Sequence, residues 1–188
     1  MGKAKRIYEG LRNHVVDSTT IMAESFPFFA AYETKLAGME ADISMNAKYL
    51  GASITYAGLG FAFSKGRDVW RKKFKISDRS KEKLQAAHDI LYTAAFNGAF
   101  LPALYYSSGE RDLETLAVGT GLGIAVAGAN SYFLGSAIDI GRDLTGIETC
   151  DRKIYPHLIK DRSPKIKKSI AAGLVVGSIG LMSLIYNY

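Results

Sequence analysis

Charged side chains are almost absent from residues 49 to 64, 90 to 109, 115 to 138 and 169 to 188, and they crowd the segments between. About 20 consecutive apolar or small residues cross a hydrocarbon core, so each stretch reads as a transmembrane helix. Residues 15 to 34 make a fifth such stretch, interrupted by Asp17 and Glu24. Bulk composition does not decide the matter, because 188 residues with 48% hydrophobic content suit a soluble domain or a small membrane bundle equally. The distribution does decide it.

Lysine and arginine test this map, since short cytoplasmic loops of membrane proteins collect them. With the N-terminus inside, segments 1 to 14, 65 to 88 and 139 to 168 are cytoplasmic and hold 21 of the 24 basic residues. The outer segments keep only Lys35, Lys48 and Arg111. The pattern predicts a multi-pass protein of the plasma (inner) membrane with five spans, N-terminus cytoplasmic and C-terminus outside. A pI near 9.3 then follows from topology, and no nucleic-acid partner is needed to explain it. Cys150 is the one cysteine and falls on an inner segment, so no intramolecular disulfide forms. No cleavable signal is expected, because the stretch after the basic Met1 to Arg12 is interrupted by polar residues and lacks a small-residue cleavage site.

A short phrase occurs twice. Gly66, Arg67, Asp68 and Val69 close one apolar stretch, and Gly141, Arg142, Asp143 and Leu144 close another 75 residues later. At the same offset Pro27 falls on Pro102 and Gly60 on Gly135. Self-similarity at a fixed offset implies a duplicated unit. Each unit holds two crossings, so the two are parallel repeats related by an axis along the membrane normal. The expected fold is an all-α integral membrane protein. It has a duplicated four-helix core over residues 1–146 (repeats about 12–71 and 87–146), a basic cytoplasmic linker over 147–168 and a fifth transmembrane helix over 169–188.

Polar residues inside the predicted spans are the candidate functional groups. Span one carries Asp17, Ser18, Thr19, Thr20 and Glu24 ahead of Phe26, Pro27, Phe28 and Phe29. Such a span must face protein or a water-filled cavity. Span three has a similar layout, with His88 and Asp89 at its inner end, Asn97 and Gly98 in its middle and Pro102 beyond. Matched prolines in the first helix of each repeat mark either a binding region or two kinks without further role. Glu24 lies two turns into span one, where a carboxylate must pair, face the interior or be protonated. It serves proton coupling, or it makes a structural hydrogen bond to Asn97 or to a partner on span four. Arg67 and Arg142 at helix C-termini either mark topology or pair across the pseudo-axis with Asp143, Asp68, Asp17 or Asp89 to close an inner gate. Gly119, Gly123, Ala127 and Ser131 form a small-residue ladder suited to close helix packing.

No enzyme or cofactor pattern is present. The histidines lie near inner boundaries, CxxC and HExxH spacings are missing, and Gly119, Gly121 and Gly123 sit in an apolar helix without a phosphate-binding lysine. A metal site built from His14, Asp17, His88 and Asp89 is less favoured than the dipole and interface roles that these residues fill unaided.

The string Asn13 to Asp17 opening span one resembles the start of the bacterial L-alanine exporter family. Gly66 through Arg71 is similar to that family's Arg-Asp, aromatic, Arg ending of its second span. Asp89 to Tyr92 resembles its span-three opening, and Ile138, Asp139 through Arg142 its closing Asp-x-x-Arg. The similarity covers about residues 12 to 147, and the fifth span departs from a four-span family. The resemblance implies proton-motive-force-driven export of L-alanine or similar small neutral amino acids. The expected path runs between spans one and three, with Glu24, Asn97, Asp17, Asp89, Pro27 and Pro102 along it and Arg67, Asp68, Arg142 and Asp143 at a cytoplasmic gate. The partners are then the lipid bilayer, the amino acid and protons, with a homo-oligomer expected because so few helices enclose little volume. An oligomeric ion or small-solute channel and a non-transporting membrane scaffold are the alternatives.

Overall fold

The computed structural model describes residues 3–76, 82–150 and 155–187, and every regular element among them is helical. α1 runs Lys3–Lys35. α2, Ala41–Ile54, continues through a π-helical turn, Thr55–Leu59, into α3, Gly60–Lys73. α4 is Glu82–Ser108, α5 is Leu113–Thr145, α6 is the single turn His157–Lys160, and α7 is Pro164–Asn187. Each charge-poor stretch thus lies within helix, and most of the helices extend beyond their stretch by polar turns. Residues 77–81 and 151–154 of the two inner segments lie outside the described residues, as do the side chains of Arg67 and Asp68.

Local chemistry sets the helix ends. Asp112 caps α5 by accepting the Thr115 N–H at 2.7 Å, and that hydrogen bond holds its carboxyl below the usual aspartate range. Gly146, at φ +73, closes α5 in the left-handed conformation that glycine adopts without penalty. The π turn is the main irregularity. Gly58 there has φ +126, which a residue with a Cβ rarely adopts. His14 Nε2 donates to the Tyr56 carbonyl within this turn at 3.0 Å, so a backbone acceptor at the break is satisfied from α1.

α1 packs on α2, α5 and α7, while α4 packs on α5 and on the α2–α3 unit. The elements α1, α2–α3, α4 and α5 therefore close a ring, with α1 and α4 at opposite corners, and α7 lies outside it against α1 and α5. Glycines set the tightest crossings. A Cβ at Gly141 would collide with Thr20 on α1, one at Gly66 with the Tyr92 hydroxyl on α4, and one at Gly123 with Leu101 and Tyr32. The glycines of the repeated phrase are thus the points where the α3 and α5 backbones approach neighbouring helices.

Polar and apolar side chains share the interior. Ser18, Ser25, Glu33, Ser44, Lys48 and Thr93 are buried, whereas Leu91, Phe133, Leu174 and Val176 are more than half exposed. In α7 the buried side chain is Ser178. α7 is, by itself, long and apolar enough to cross a membrane, and α5 joins it when Leu113–Ser131 and Ser136–Thr145 are taken as one bent span.

α7 is fastened to the ring at both ends. At its start, Lys167 Nζ donates to Asp143 Oδ2 at 2.6 Å, the Tyr155 hydroxyl donates to the same oxygen at 2.7 Å, and the Cys150 N–H reaches Oδ1 at 3.4 Å. Asp143 lies five residues past the predicted fourth span. Burial disfavours its charge, but the donors from Lys167, Tyr155 and Cys150 outweigh that, and its pKa falls below the ordinary value. A depressed pKa in the folded state stabilises the fold above the unfolded-state value and loses that contribution as pH drops through the folded one. Thermal unfolding of the purified protein should therefore show a fall in Tm below about pH 4 that Asp143→Asn lacks. At pH 7 Asp143→Asn should cost about 1–3 kcal/mol, because the partly covered Lys167 loses its counter-charge.

Candidate functional site

The ring forms a partly open cavity of about 170 Å³ to which α1, α2–α3, α4 and α5 all contribute walls. Its lining is mostly aromatic and aliphatic, including Phe29, Phe63, Phe96 and Leu104. Polar groups enter at a few points: Ser25 from α1, Lys48 from α2, Thr93 and Asn97 from α4, and Asn130 from α5. An apolar enclosure with a few convergent polar groups is the usual form of a small-molecule site.

The end of the cavity where α1 finishes is organised around Glu33, whose side chain is 1% exposed. Lys48 Nζ donates to Glu33 Oε2, and Ser44 Oγ donates to the same oxygen at 2.5 Å. The Tyr105 hydroxyl donates to Oε1 at 3.0 Å. A hydroxyl has one proton to give. Tyr32 must therefore donate to Tyr105 at 2.6 Å, and Tyr186 of α7 to Ser44 at 3.0 Å. Every neighbour points a proton at Glu33, the arrangement an ionised carboxylate requires. Lys48 is the complementary group. Its side chain is 6% exposed, and it carries three N–H donors, of which Glu33 takes one. No other described group accepts from it, and the Phe29 ring lies 5.9 Å away.

Glu24 and Asn97, predicted to lie together on the path, have different partners. Glu24 Oε2 accepts from Ser25 at 2.7 Å and from Asn130 Nδ2 at 2.8 Å. Asn97 Nδ2 donates to the Thr93 carbonyl at 2.9 Å. Both asparagines line the cavity, and the amide oxygen of each receives no donor from the described residues. Pro27 and Pro102 lie inside α1 and α4, each directly after a lining residue, Phe26 and Leu101.

At the opposite end, two bidentate ion pairs cross between helices, one joining α5 to α1 and one joining the consecutive α3 and α4. Arg142 of α5 grips Asp17 of α1, with Nε to Oδ1 at 2.8 Å and Nη2 to Oδ2 at 2.5 Å. Arg71 of α3 grips Asp89 of α4 at 3.2 and 2.7 Å. His88 Nδ1 also donates to Asp89 Oδ1 at 3.1 Å. Of the four candidate gate residues, Arg142 thus engages a predicted partner, and Asp143 serves the linker and α7. The side chains of Arg67 and Asp68 lie outside the described residues. His14, Asp17, His88 and Asp89 are occupied separately, and no three His, Cys, Asp or Glu side chains converge on a metal position among the described residues.

The sequence reading misses Glu33 and Lys48. Lys48 counts there as an outer-loop cation, yet α2 begins at Ala41 and buries it on the second turn. Glu33 is the third acid of span one and lies one residue from its predicted end, where hydration is the default expectation. The usable signal is a lysine in the charge-poor flank of a span, facing an acid in the last turn of the previous one. No family model, curated protein or solved structure matches the chain.

A buried pair whose partners depend on each other gives a specific signature in a double-mutant cycle. Lys48→Met and Glu33→Gln should each destabilise the purified protein by about 3–5 kcal/mol in chemical unfolding. The double variant should recover most of that loss, since it removes both charges together.

Proposed function

We propose that the chain is a multi-pass membrane transporter that exports L-alanine or similar small neutral amino acids, driven by the proton motive force. The observation that carries this reading is the central cavity, with its apolar walls, a buried ion pair at one end and asparagine amides along its length. A cavity of about 150 Å³ accommodates benzene, a molecule of six heavy atoms. Alanine also has six, so a space of about 170 Å³ has room for a small amino acid.

The membrane setting draws support from the exposed apolar surface of α7 and from the polar groups buried inside the ring. Leu174, Val176, Ile179, Leu181 and Leu184 of α7 are all more than half exposed, an apolar face larger than water tolerates on a monomer. Lipid covers it in this reading, and a second copy of the chain covers part of it in a homo-oligomer. The alternation of lysine and arginine orients the N-terminus to the cytoplasm and the C-terminus outward.

Two parallel hairpins, α1 with α2–α3 and α4 with α5, supply the moving parts. An aspartate in the first helix of each hairpin pairs with an arginine near the end of the other: Asp17 with Arg142, and Asp89 with Arg71. These crossed pairs form the cytoplasmic gate, and half-exposed ion pairs of this kind are weak enough to break in each cycle. Glu24, bonded to the cavity residue Asn130, is the proton-coupling group, so its protonation state reaches the cavity through one amide.

Counterflow of labelled alanine in proteoliposomes, with and without a pH gradient, checks the proposal. Exchange that an inward proton gradient converts to net export is the expected result, with Glu24→Gln retaining exchange and losing the gradient response. Conductance without exchange identifies a channel. Neither activity identifies a scaffold.

A further inference from the structure

We infer that Lys48 is the carboxylate anchor of the cavity, and that its ligands are small zwitterions held by Lys48 at one end and by the amide oxygens of Asn97 and Asn130 at the other. This rests on the transport reading and names the recognition chemistry within it.

Lys48 is a buried ammonium on the cavity wall with two N–H donors that no described group accepts. Unmet donors on a charged group in a low-dielectric space are costly, and a carboxylate satisfies two of them at once. Glu33 is saturated by Lys48, Ser44 and Tyr105 and has little capacity left for a ligand. Its role is to keep Lys48 charged and aimed, which makes it a positioning residue.

The ion pair is neutral overall, so an added anion without a cation would leave a net charge in the cavity. A ligand that carries its own ammonium avoids this. Asn97 and Asn130 each commit one amide N–H within the protein and present acceptor oxygens, the right polarity for an ammonium. The asparagines sit on α4 and α5 and Lys48 on α2, so one bound zwitterion touches both proposed hairpins.

Equilibrium binding to the full-length protein in detergent tests this without relying on transport. Labelled L-alanine is displaced with unlabelled L-alanine, with alaninamide, which lacks the carboxylate, and with propionate, which lacks the ammonium. Each analogue should compete about tenfold or more weakly than L-alanine. Glu33→Gln/Lys48→Met should lose alanine binding by a similar factor, Lys48→Arg should retain most of it, and Asn97→Ala/Asn130→Ala should narrow the gap between L-alanine and propionate. Equal competition by alaninamide and L-alanine overturns the role of Lys48 on the unmodified protein, whether or not the variants fold. Alanine bound in this pattern but not exchanged in vesicles leaves the site standing and removes the transporter. Exchange unaffected by Glu33→Gln/Lys48→Met removes the site and leaves the transporter, and no binding of any probe overturns the inference.

Discussion

One buried carboxylate holds a whole end of this molecule together. Glu33 belongs to α1, its lysine and serine partners to α2, its tyrosine partner to α4, and through Ser44 it reaches Tyr186 of α7. Three helices therefore meet on two oxygen atoms, and a fourth joins them through one serine hydroxyl. A packed apolar cluster of Met39, Ala47, Leu101, Leu104 and Tyr105 surrounds them and excludes water. A buried pair contributes little net stability compared with an apolar replacement, because the desolvation of two charges offsets their attraction. What it contributes here is uniqueness: slipping any of the four helices leaves a charge or a hydroxyl unpaired in an apolar setting. It also places an ammonium on a cavity wall, where hydrophobic packing alone would have left nothing to bind.

The opposite end uses a different kind of fastening. Its two arginine–aspartate pairs are bidentate but partly hydrated, with side-chain exposures between 20% and 30%. Hydrated pairs exchange readily with water, whereas the Glu33 network does not. The bundle thus has one stiff end and one compliant end, and a rocking motion between hairpins would pivot at Glu33 and open at Asp17 and Asp89. Gly141 and Gly66 add to this contrast, since they bring the backbones close just beside the compliant end.

Much of the layout is legible in the residues. The charge-poor stretches become helices, and the repeated glycine of the Gly-Arg-Asp phrase proves to be a crossing point whose Arg142 does reach Asp17. The same phrase misleads about its acids, because Asp143 turns away to hold Lys167 and Tyr155, contacts made by a segment outside the repeat. Arg71, four residues beyond Arg67, supplies the described partner of Asp89. The π turn at Gly58 is not legible, since a glycine in an apolar stretch reads equally as a packing residue and its backbone strain shows only in three dimensions. The Glu33–Lys48 pair escapes for a related reason. Hydropathy treats charges at the ends of spans as solvated, and only the packing of α1 against α2 and α4 shows that water does not reach them.

α7 lies between those two ends. Lys167 fixes its start to the inner end of α5, and Tyr186 fixes its finish to the Ser44–Glu33 cluster. The step of 19 residues between them rises about 28 Å at the helical rise per residue, close to the thickness of a hydrocarbon layer. A helix does not stretch, so α7 behaves as a tie-rod of set length between the compliant end and the stiff one. In the membrane setting proposed above, bilayers thicker or thinner than this rod would load its two fastenings directly, and lipid chain length would then act mechanically on the Glu33 cluster.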